Sequence, residues 1–381
     1  MPGGSMSTID QTISAAPPGS QRRRGSDYAE LLSRVRRAGL LERRPTYYLV
    51  MIAVNAALVT AGWTIFVLVG DSWWQLVTAA YLAVVFTQSG FLGHDAGHRQ
   101  IFRSRRANHL VGLVYGNLAI GLAFGWWVDK HHRHHAHPNT EGRDPDIAGE
   151  ALAFTRAQAD RRRGAGRLLA RHQRLLFFPM LLLEGVALHV ASVRALSRST
   201  YRGRGREALL LGLHAAAYLT AVFVVLSPLR ALAFVVVQQG LFGLYLGCAF
   251  APNHKGMPIL GADEEVDFLR RQVLTSRNVR GNRLTDFLLG GLNHQIEHHL
   301  FPSMPRAALR HARPIVRAFC REHDLPYVET GLLDSYRQAL RHLHRVGRNA
   351  RPAGESASPV EPTGPTGPAA RLREVQNVDL R

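Results

Sequence analysis

The sequence predicts an all-α membrane protein, in which four transmembrane helices form two hairpins beneath a cytosolic, histidine-rich helical cap. Three observations support this prediction. The chain contains four long stretches without a charged residue, arginine-rich segments lie outside those stretches, and groups of histidine follow the ends of several of them.

The four uncharged stretches are long enough to cross a bilayer. They cover residues 47–70, 72–93, 208–229 and 231–252. Each has the roughly 20 residues that a helix needs to span about 30 Å of hydrocarbon. Asp71 separates the first two, and the short segment 227–230 separates the last two, so the sequence predicts two hairpins. Buried helices of a soluble protein would explain one such stretch but not four.

The distribution of arginine predicts the orientation of these hairpins. The first connection contains no lysine or arginine and the second contains only Arg230, whereas the segments before, between and after the hairpins are rich in arginine. The positive-inside rule then places both termini and the middle region in the cytosol. Two more apolar stretches, 110–128 and 175–193, are predicted to be interfacial or re-entrant. If only one of them crossed, the histidine groups would face opposite sides of the membrane.

The composition limits the class of protein. The net charge of +19 could indicate a nucleic-acid-binding protein, but the arginines flank apolar spans, so we predict no nucleic-acid partner. Only two of the 47 basic residues are lysines, Lys130 and Lys255. Two cysteines are too few for a disulfide framework or a thiolate metal site.

The chain is predicted to have three parts. Residues 1–44 are expected to be a disordered basic segment, residues 45–330 the membrane domain, and residues 331–381 a C-terminal helix remnant with a disordered tail. The predicted disorder rests on the abundance of Ser, Gly, Pro and Arg near both ends.

Histidines occur in groups with helical spacing. In "HDAGH" two histidines are four residues apart, and in "HHRHH" three stand at positions i, i+3 and i+4. "QIEHH" repeats the second spacing with glutamine first, and one more histidine follows the fourth span. On a helix, residues with these spacings share one face. The candidate metal ligands are His94, His98, His131, His134, His135, His254, His298 and His299.

A single group of this kind is weak evidence, because surface histidines are common. Three groups, each beside the end of a predicted span and on the same side of the membrane, are not a plausible coincidence. Seven or eight imidazoles exceed the four ligands of a zinc ion. They are enough for two open coordination spheres of a first-row metal, and imidazole suits iron, zinc and copper.

Polar residues beside the candidate ligands are predicted to orient them. A ligating imidazole usually donates its other N–H to a carboxylate or a carbonyl group. The candidates are Asp95, Asp144, Asn253, Gln295 and Glu297. The alternative is that Asp95 and Glu297 are solvated and that Asp144 caps a helix.

These motifs resemble the three histidine boxes of the integral-membrane fatty acid desaturases, over residues 45–330. "HDAGH" is similar to the first box, "HHRHH" to the second and "QIEHHLFP" to the Q-x2-HH third box of front-end members and related bacterial acyl-CoA desaturases. The resemblance implies a di-iron centre held by the histidines named above, with His254 as the additional ligand after the fourth span. Gln295 stands where other branches have histidine.

The resemblance also implies the reaction. A membrane desaturase removes two hydrogens from adjacent methylenes of a fatty acyl chain, with O2 as oxidant and two electrons from outside. No catalytic base beyond the metal ligands is expected. The acyl chain of an acyl-CoA or acyl-lipid would lie in an apolar tunnel lined from residues 110–125. The segment before the first span lacks the haem motif of fused cytochrome b5 domains. A separate ferredoxin, cytochrome b5 or flavin reductase is therefore expected to supply the electrons. The location expected is the bacterial cell membrane, with the active site facing the cytoplasm.

Two other functions remain possible at this stage. A related membrane di-iron hydroxylase or ketolase would use similar boxes and the same oxidant, but would return oxygen to the carbon. A histidine-rich metal transporter would need polar or charged side chains along a path through the membrane. The predicted spans contain few of them, which makes transport the weaker alternative.

Overall fold

The structure is a computed structural model that describes residues 20–149, 151–198, 201 and 203–348, with side chains from residue 27 onward. The regular secondary structure of the described residues is almost entirely helical. Its helices are α1 (Ser20–Arg37), α2 (Pro45–Val69), α3 (Gln75–Gly97), α4 (Arg105–Gly112), α5 (Phe124–Ala136), α6 (Arg156–Asp160), α7 (Gly164–Leu181), α8 (Glu184–Leu196), α9 (Arg204–Val225), α10 (Pro228–His254), α11 (Phe268–Leu274), α12 (Arg283–Leu288), α13 (Gln295–Leu300), α14 (Arg306–Glu322) and α15 (Leu332–Arg348). A π-helical segment covers Leu113–Ala119, and a short parallel sheet pairs β1 (Asn278–Val279) with β2 (Glu329–Thr330).

The four predicted spans are confirmed as long apolar helices. Within the described ranges, α2, α3, α9 and α10 are each long and apolar enough to cross a membrane. α3 packs against both α2 and α10 and is the most enclosed of the four. Large apolar side chains such as Leu68 and Val224 are exposed on α2 and α9, as expected for surfaces that face lipid.

The two hairpins are joined at their tips. The carboxylate of Asp71, between α2 and α3, accepts a hydrogen bond of 2.9 Å from the backbone N–H of Ser227. It also forms an ion pair of 2.5 Å with Arg230, at the start of α10. His94 and His254 lie near the other ends of α3 and α10. The tips and the histidines are therefore at opposite ends of the helical bundle.

The two additional apolar stretches are bent rather than straight. The segment Arg105–Ala119 meets Phe124–Ala136 at 113°, and Gly164–Leu181 meets Glu184–Leu196 at 82°. The first bend contains Gly121, whose φ is +69°. A Cβ atom there would lie 2.5 Å from the imidazole Cδ2 of His214, so both conformation and space require glycine. Counted as spans, the bent pairs would raise the number of crossings to six.

Helices α8 and α10 touch backbone to backbone at Gly243. A Cβ atom on Gly243 would lie 2.4 Å from the backbone nitrogen of Gly185 and 2.7 Å from the carbonyl oxygen of Leu181. Gly212, on α9, has open space instead, because a Cβ atom there would meet no atom of another described element within 4 Å.

We expect Gly243→Ala to destabilise the protein and Gly212→Ala to leave it as stable as the wild type or more so. Helix propensity favours alanine over glycine by about 1 kcal/mol at both positions. Overpacking at Gly243 costs about 1–3 kcal/mol, because backbone atoms cannot move aside as a side chain does. Thermal unfolding in detergent micelles measures the difference between the two variants. Equal melting temperatures would contradict this account of the helix contact.

The prediction of disorder for residues 1–44 is wrong for residues 20–44. Residues 20–37 form α1, and the side chains of Leu31 and Val35 are fully buried against α11 and α14. These two apolar residues lie one helical turn apart between arginines, and the arginine content concealed that spacing. Residues 1–19 lie outside the described part of the chain, so the prediction for them stays a prediction.

The C-terminal segment is also more than a helix remnant. α15 packs against α7 and α10, and it buries Ala339 and Leu343 on its inner face. His342 of the same helix is hydrogen-bonded at 2.9 Å to the carbonyl oxygen of Phe154. α15 therefore belongs to the cap. The tail predicted for residues 349–381 lies outside the described residues.

Candidate metal centre

Four separate parts of the chain bring the predicted histidines to one place. The end of α3 carries the first box, α5 carries the second, α13 carries the third, and the end of α10 carries the additional histidine. All eight predicted side chains are buried. Seven of them form two clusters of ring nitrogens, and His135 lies beside both.

The first cluster contains four histidines. One ring nitrogen from each lies within 4.8 Å of the others, and the Nε2 atoms of His98 and His131 are 2.8 Å apart. The ring of Trp127 stacks on His131 with 4.5 Å between centroids, which fixes the plane of that imidazole. The members of this cluster are His94, His98, His131 and His298.

The second cluster contains His134, His254 and His299. The Nε2 atom of His254 lies 3.3 Å from that of His134 and 3.0 Å from that of His299. His135 lies beside both clusters. Its Nε2 atom is 3.1 Å from that of His131, and its ring stacks on His299 with 4.1 Å between centroids.

Hydrogen bonds on the outer nitrogens fix the tautomers of the second cluster. His134 Nδ1 lies 3.0 Å from a carboxylate oxygen of Asp144, and His254 Nδ1 lies 2.9 Å from the carbonyl oxygen of Thr275. His299 Nδ1 lies 2.9 Å from Oε1 of Gln272. The amide of Gln272 is oriented by its Nε2–H, which donates to the carbonyl of His135 at 3.0 Å.

All three outer partners are acceptors, so each Nδ1 carries the hydrogen and each Nε2 has a lone pair. Three such lone pairs then converge on one point, where a cation would relieve their repulsion. In the first cluster, the buried Nε2 atoms of His94 and His298 have no hydrogen-bond partner among the described residues. The residues therefore fit bound metal ions, and the clusters are compatible with metal binding.

Burial favours the neutral form of three of these imidazoles. It lowers the pKa of His98, His298 and His299 well below the usual value, and neighbouring histidines lower it further. A neutral imidazole is the form that binds a metal.

Two of the predicted orienting carboxylates contact ring nitrogens. Asp144 is buried, and besides His134 it accepts a 2.7 Å hydrogen bond from the backbone N–H of Asn139. Asp95 lies 3.3 Å from His94 Nδ1. Its other oxygen forms a 2.7 Å ion pair with the buried guanidinium of Arg306.

The other three predicted orienting residues have different surroundings. Gln295 does reach the second cluster, with its amide nitrogen 2.8 Å from His254 Nε2. Asn253 instead donates at 3.3 Å to the carbonyl of Ala249 in its own helix. The prediction that Glu297 accepts from a ligand imidazole is wrong, because its carboxylate accepts from Asn278 at 2.7 Å and Tyr327 at 2.8 Å. The helix directs it away from the face that carries His298.

Several residues of the site were not predicted. Gln272 and the carbonyl of Thr275 come from α11 and its end, and no local pattern distinguishes them. Arg306 follows the third box closely, and Asp146 belongs to the same "DPDI" stretch as Asp144. Proximity to a box is the only sequence signal that could have indicated these two.

A buried carboxylate also positions the start of α5. Glu207, in the first turn of α9, accepts hydrogen bonds of 3.1 Å from the backbone N–H of Gly125 and from the side chain of Asn117. The hydroxyl of Tyr201 donates to it at 2.6 Å. Negative charge at a helix N-terminus is favourable, so Glu207 stabilises the helix that carries the second box.

A cavity of about 380 Å³ leads to the histidines. One part is apolar and includes Gly116, Ile120 and Leu122, as the prediction of a tunnel lined from residues 110–125 requires. The polar part includes Lys130 and Lys255. The histidines in its wall are His94, His131, His134 and His254.

The fold and the site together define an integral membrane protein with a histidine-rich, metal-binding centre at one end of its helical bundle. A sequence model described as "Fatty acid desaturase" matches residues 71–331, well over half of the chain. The chain therefore belongs to the fatty acid desaturase family, which is a family of oxidoreductases.

Curated relatives support the same assignment. The chain is 30% identical over 339 residues to the Acyl-lipid (9-3)-desaturase of Physcomitrium patens, an alignment that covers 85% of this chain and 63% of that protein. It is 27% identical over 358 residues to a Delta(6)-fatty-acid desaturase of Caenorhabditis elegans, covering 90% and 80% of the two chains. It is 30% identical over 334 residues to the Delta(8)-fatty-acid desaturase of Euglena gracilis, covering 84% and 79%.

Proposed function

We propose that this protein is a membrane fatty acyl desaturase that uses O2 and two externally supplied electrons at a histidine-ligated di-iron centre. The observation that carries the proposal is the convergence of Nε2 lone pairs from His134, His254 and His299, beside a second cluster of four histidines. The curated relatives bear the names of fatty acid desaturases.

The proposed ligands are divided between two irons. His94, His98, His131 and His298 would hold one ion, and His134, His254 and His299 the other. His135 would complete the set from its position beside both clusters, and Gln295 would face the second ion. Bound iron would activate O2 so that hydrogen can be removed from an unactivated methylene, a reaction that no side-chain acid or base can perform.

The proposed reaction balances without a catalytic base. Two C–H bonds on adjacent carbons break and a C=C bond forms. One O2 is reduced to two waters by these two hydrogens, two electrons and two protons. The electrons would come from a separate ferredoxin, cytochrome b5 or flavin reductase.

The remaining task of the chain is to position the substrate and exclude water. Ile120, Leu122 and Leu246 give the cavity an apolar wall for an extended acyl chain. His131 and Trp127 lie in the same wall, so the acyl chain would pass directly beside the proposed ligands. The acyl chain would be carried by CoA or by a lipid, and the centre would face the cytoplasm of a bacterial cell membrane, as the arginine distribution suggests.

Expression in a desaturase-deficient host tests the proposal. We expect new unsaturated fatty acids in the lipid extract, identified by mass spectrometry, and none with an empty vector. Growth under labelled O2 separates the alternatives, because a desaturase leaves no label in the acyl product, whereas a hydroxylase or ketolase retains it. Labelled hydroxy or keto lipids would overturn the proposal in favour of oxygen insertion.

A further inference from the structure

The only two lysines of the chain meet at one residue in the wall of the cavity. Lys130 and Lys255 are 125 positions apart in sequence, yet both contact Asp146. Lys130 Nζ forms an ion pair of 2.5 Å with the Asp146 carboxylate. Lys255 Nζ donates instead to the backbone carbonyl of Asp146, at 2.9 Å.

The two ammonium groups differ in how their charge is balanced. The charge of Lys130 is paired directly with the carboxylate. Within the described part of the chain, the Lys255 ammonium contacts the Asp146 carbonyl and the ring of Phe154, whose centroid is 4.3 Å away. An ammonium has three N–H donors and no acceptor. Lys255 therefore keeps donor capacity for a group that enters the cavity.

The cavity shows what kind of group this is. It continues from Lys255 to an apolar wall that suits an acyl chain, and its polar part is small by comparison. The polar atoms that such a substrate always carries are those at its head end, where the chain joins its carrier through an ester or thioester carbonyl. A half-buried ammonium whose second and third N–H groups face this cavity is matched by that oxygen, because an entering substrate would otherwise displace water from those donors without replacing the hydrogen bonds.

We propose that Lys255 binds the head-end carbonyl oxygen of the acyl substrate and so sets the carbon at which the double bond is introduced. This inference rests on the proposed function. Asp146, which is paired with Lys130, holds Lys255 in place through its backbone carbonyl, and the Phe154 ring supports the Lys255 ammonium from one side. Lys255 directly follows His254, and Lys130 directly precedes His131. The head end is then fixed close to the metal ligands, so the enzyme counts carbons from the carbonyl.

The test compares Lys255→Met, Lys255→Gln and the matched control Arg105→Met, which removes an exposed cation at the start of α4. We expect KM to rise about 10- to 100-fold in Lys255→Met, from loss of a hydrogen bond to a charged group. Lys255→Gln, which keeps an uncharged donor, should show a smaller rise, and Arg105→Met none. The double bond should move or scatter in Lys255→Met, whereas the wild type keeps its position from the carbonyl in acyl chains of two lengths.

Parallel assays with a saturated acyl-CoA and with phosphatidylcholine identify whether a thioester or an ester carbonyl is bound. Equilibrium binding of the same probes, without reductant, gives a readout that does not depend on turnover. A wild-type KM and an unchanged double-bond position in Lys255→Met would overturn the proposal that Lys255 binds the substrate carbonyl, while the proposed desaturase function would stand. Loss of bound iron in Lys255→Met would also overturn it, by assigning the lysine to the scaffold. If the wild type shows no desaturation and Lys255→Met nevertheless weakens probe binding, the proposed function is wrong and the proposed binding of the substrate carbonyl by Lys255 stands.

Discussion

Replacing His254 with alanine is expected to abolish desaturation and to reduce the bound iron from the proposed two ions per chain to one. His254 contributes the central nitrogen of the second cluster, 3.3 Å from His134 Nε2 and 3.0 Å from His299 Nε2. Its removal leaves His134 and His299 as the two remaining imidazoles of that cluster and takes away the nitrogen that lies between them, so the second ion should no longer be held. The first cluster contains no residue of α10 and should keep its ion. Metal analysis of the purified protein, together with turnover of an acyl substrate, measures both effects.

His132 provides the matched control. It belongs to the second box but is exposed and is not part of either cluster of ring nitrogens. His132→Ala should therefore bind the same amount of iron as the wild type and remain active. If His254→Ala kept two ions and full activity, the second cluster would not be a metal site.

Replacing Gly90 with leucine should block the apolar part of the cavity and leave the metal centre intact. A Cβ atom on Gly90 would lie 3.6 Å from Ile120 Cδ1 and 3.7 Å from Leu246 Cδ2, which are ordinary contacts. A methyl group therefore fits, but the additional carbons of leucine would occupy space that the acyl chain needs. Forcing the acyl chain against these extra carbons should cost about 1–3 kcal/mol, the size of the penalty for overpacking a core. That cost corresponds to a loss of about 10- to 100-fold in kcat/KM.

Gly90→Ala is the control for this substitution, and it should retain most of the wild-type kcat/KM. Iron content should be the same in Gly90→Leu and the wild type, because the atoms nearest to a Cβ at this position belong to Ile120 and Leu246 and not to a proposed ligand. Shorter acyl chains should be less affected than long ones. Equal loss of activity on all chain lengths, or loss of iron, would show that Gly90 does not line the acyl path.

The sequence predicted the spans and the histidines because both depend on local patterns. A run of about twenty uncharged residues can be recognised from the sequence alone. Histidines at positions i, i+3 and i+4 share one face of a helix wherever that helix lies in the fold. Their convergence was predictable as well, because each group follows or precedes a span on the same predicted side.

The groups that orient the ligands were harder to predict because they depend on tertiary contacts. Gln272 contacts His299 from a different helix, and Thr275 reaches His254 through its backbone carbonyl, which any residue possesses. Glu297 was misassigned because adjacency in sequence says little about direction on a short helix. Its neighbour His298 points to the first histidine cluster, while Glu297 points to Tyr327.

α1 was missed for a different physical reason. Its two buried residues, Leu31 and Val35, stand in a segment whose composition is otherwise polar and basic. Composition averages over the whole segment, whereas a helix needs only one apolar face to pack. The stabilising surface on α11 and α14 is distant in sequence, so it cannot be seen from residues 1–44.

The fully buried Arg277 connects the end of α10 to α15. Its guanidinium donates at 2.6 Å to the carbonyl of Pro252, and it also contacts the carbonyl of Lys255 and the side chain of Gln338. Pro252 and Lys255 flank the proposed ligand His254, whereas Gln338 lies beyond residue 331, where the match to the family ends. Chimaeras of two family members that are joined at that boundary would combine a guanidinium from one parent with its amide partner from another. α15 must therefore be inherited together with the rest of the enzyme.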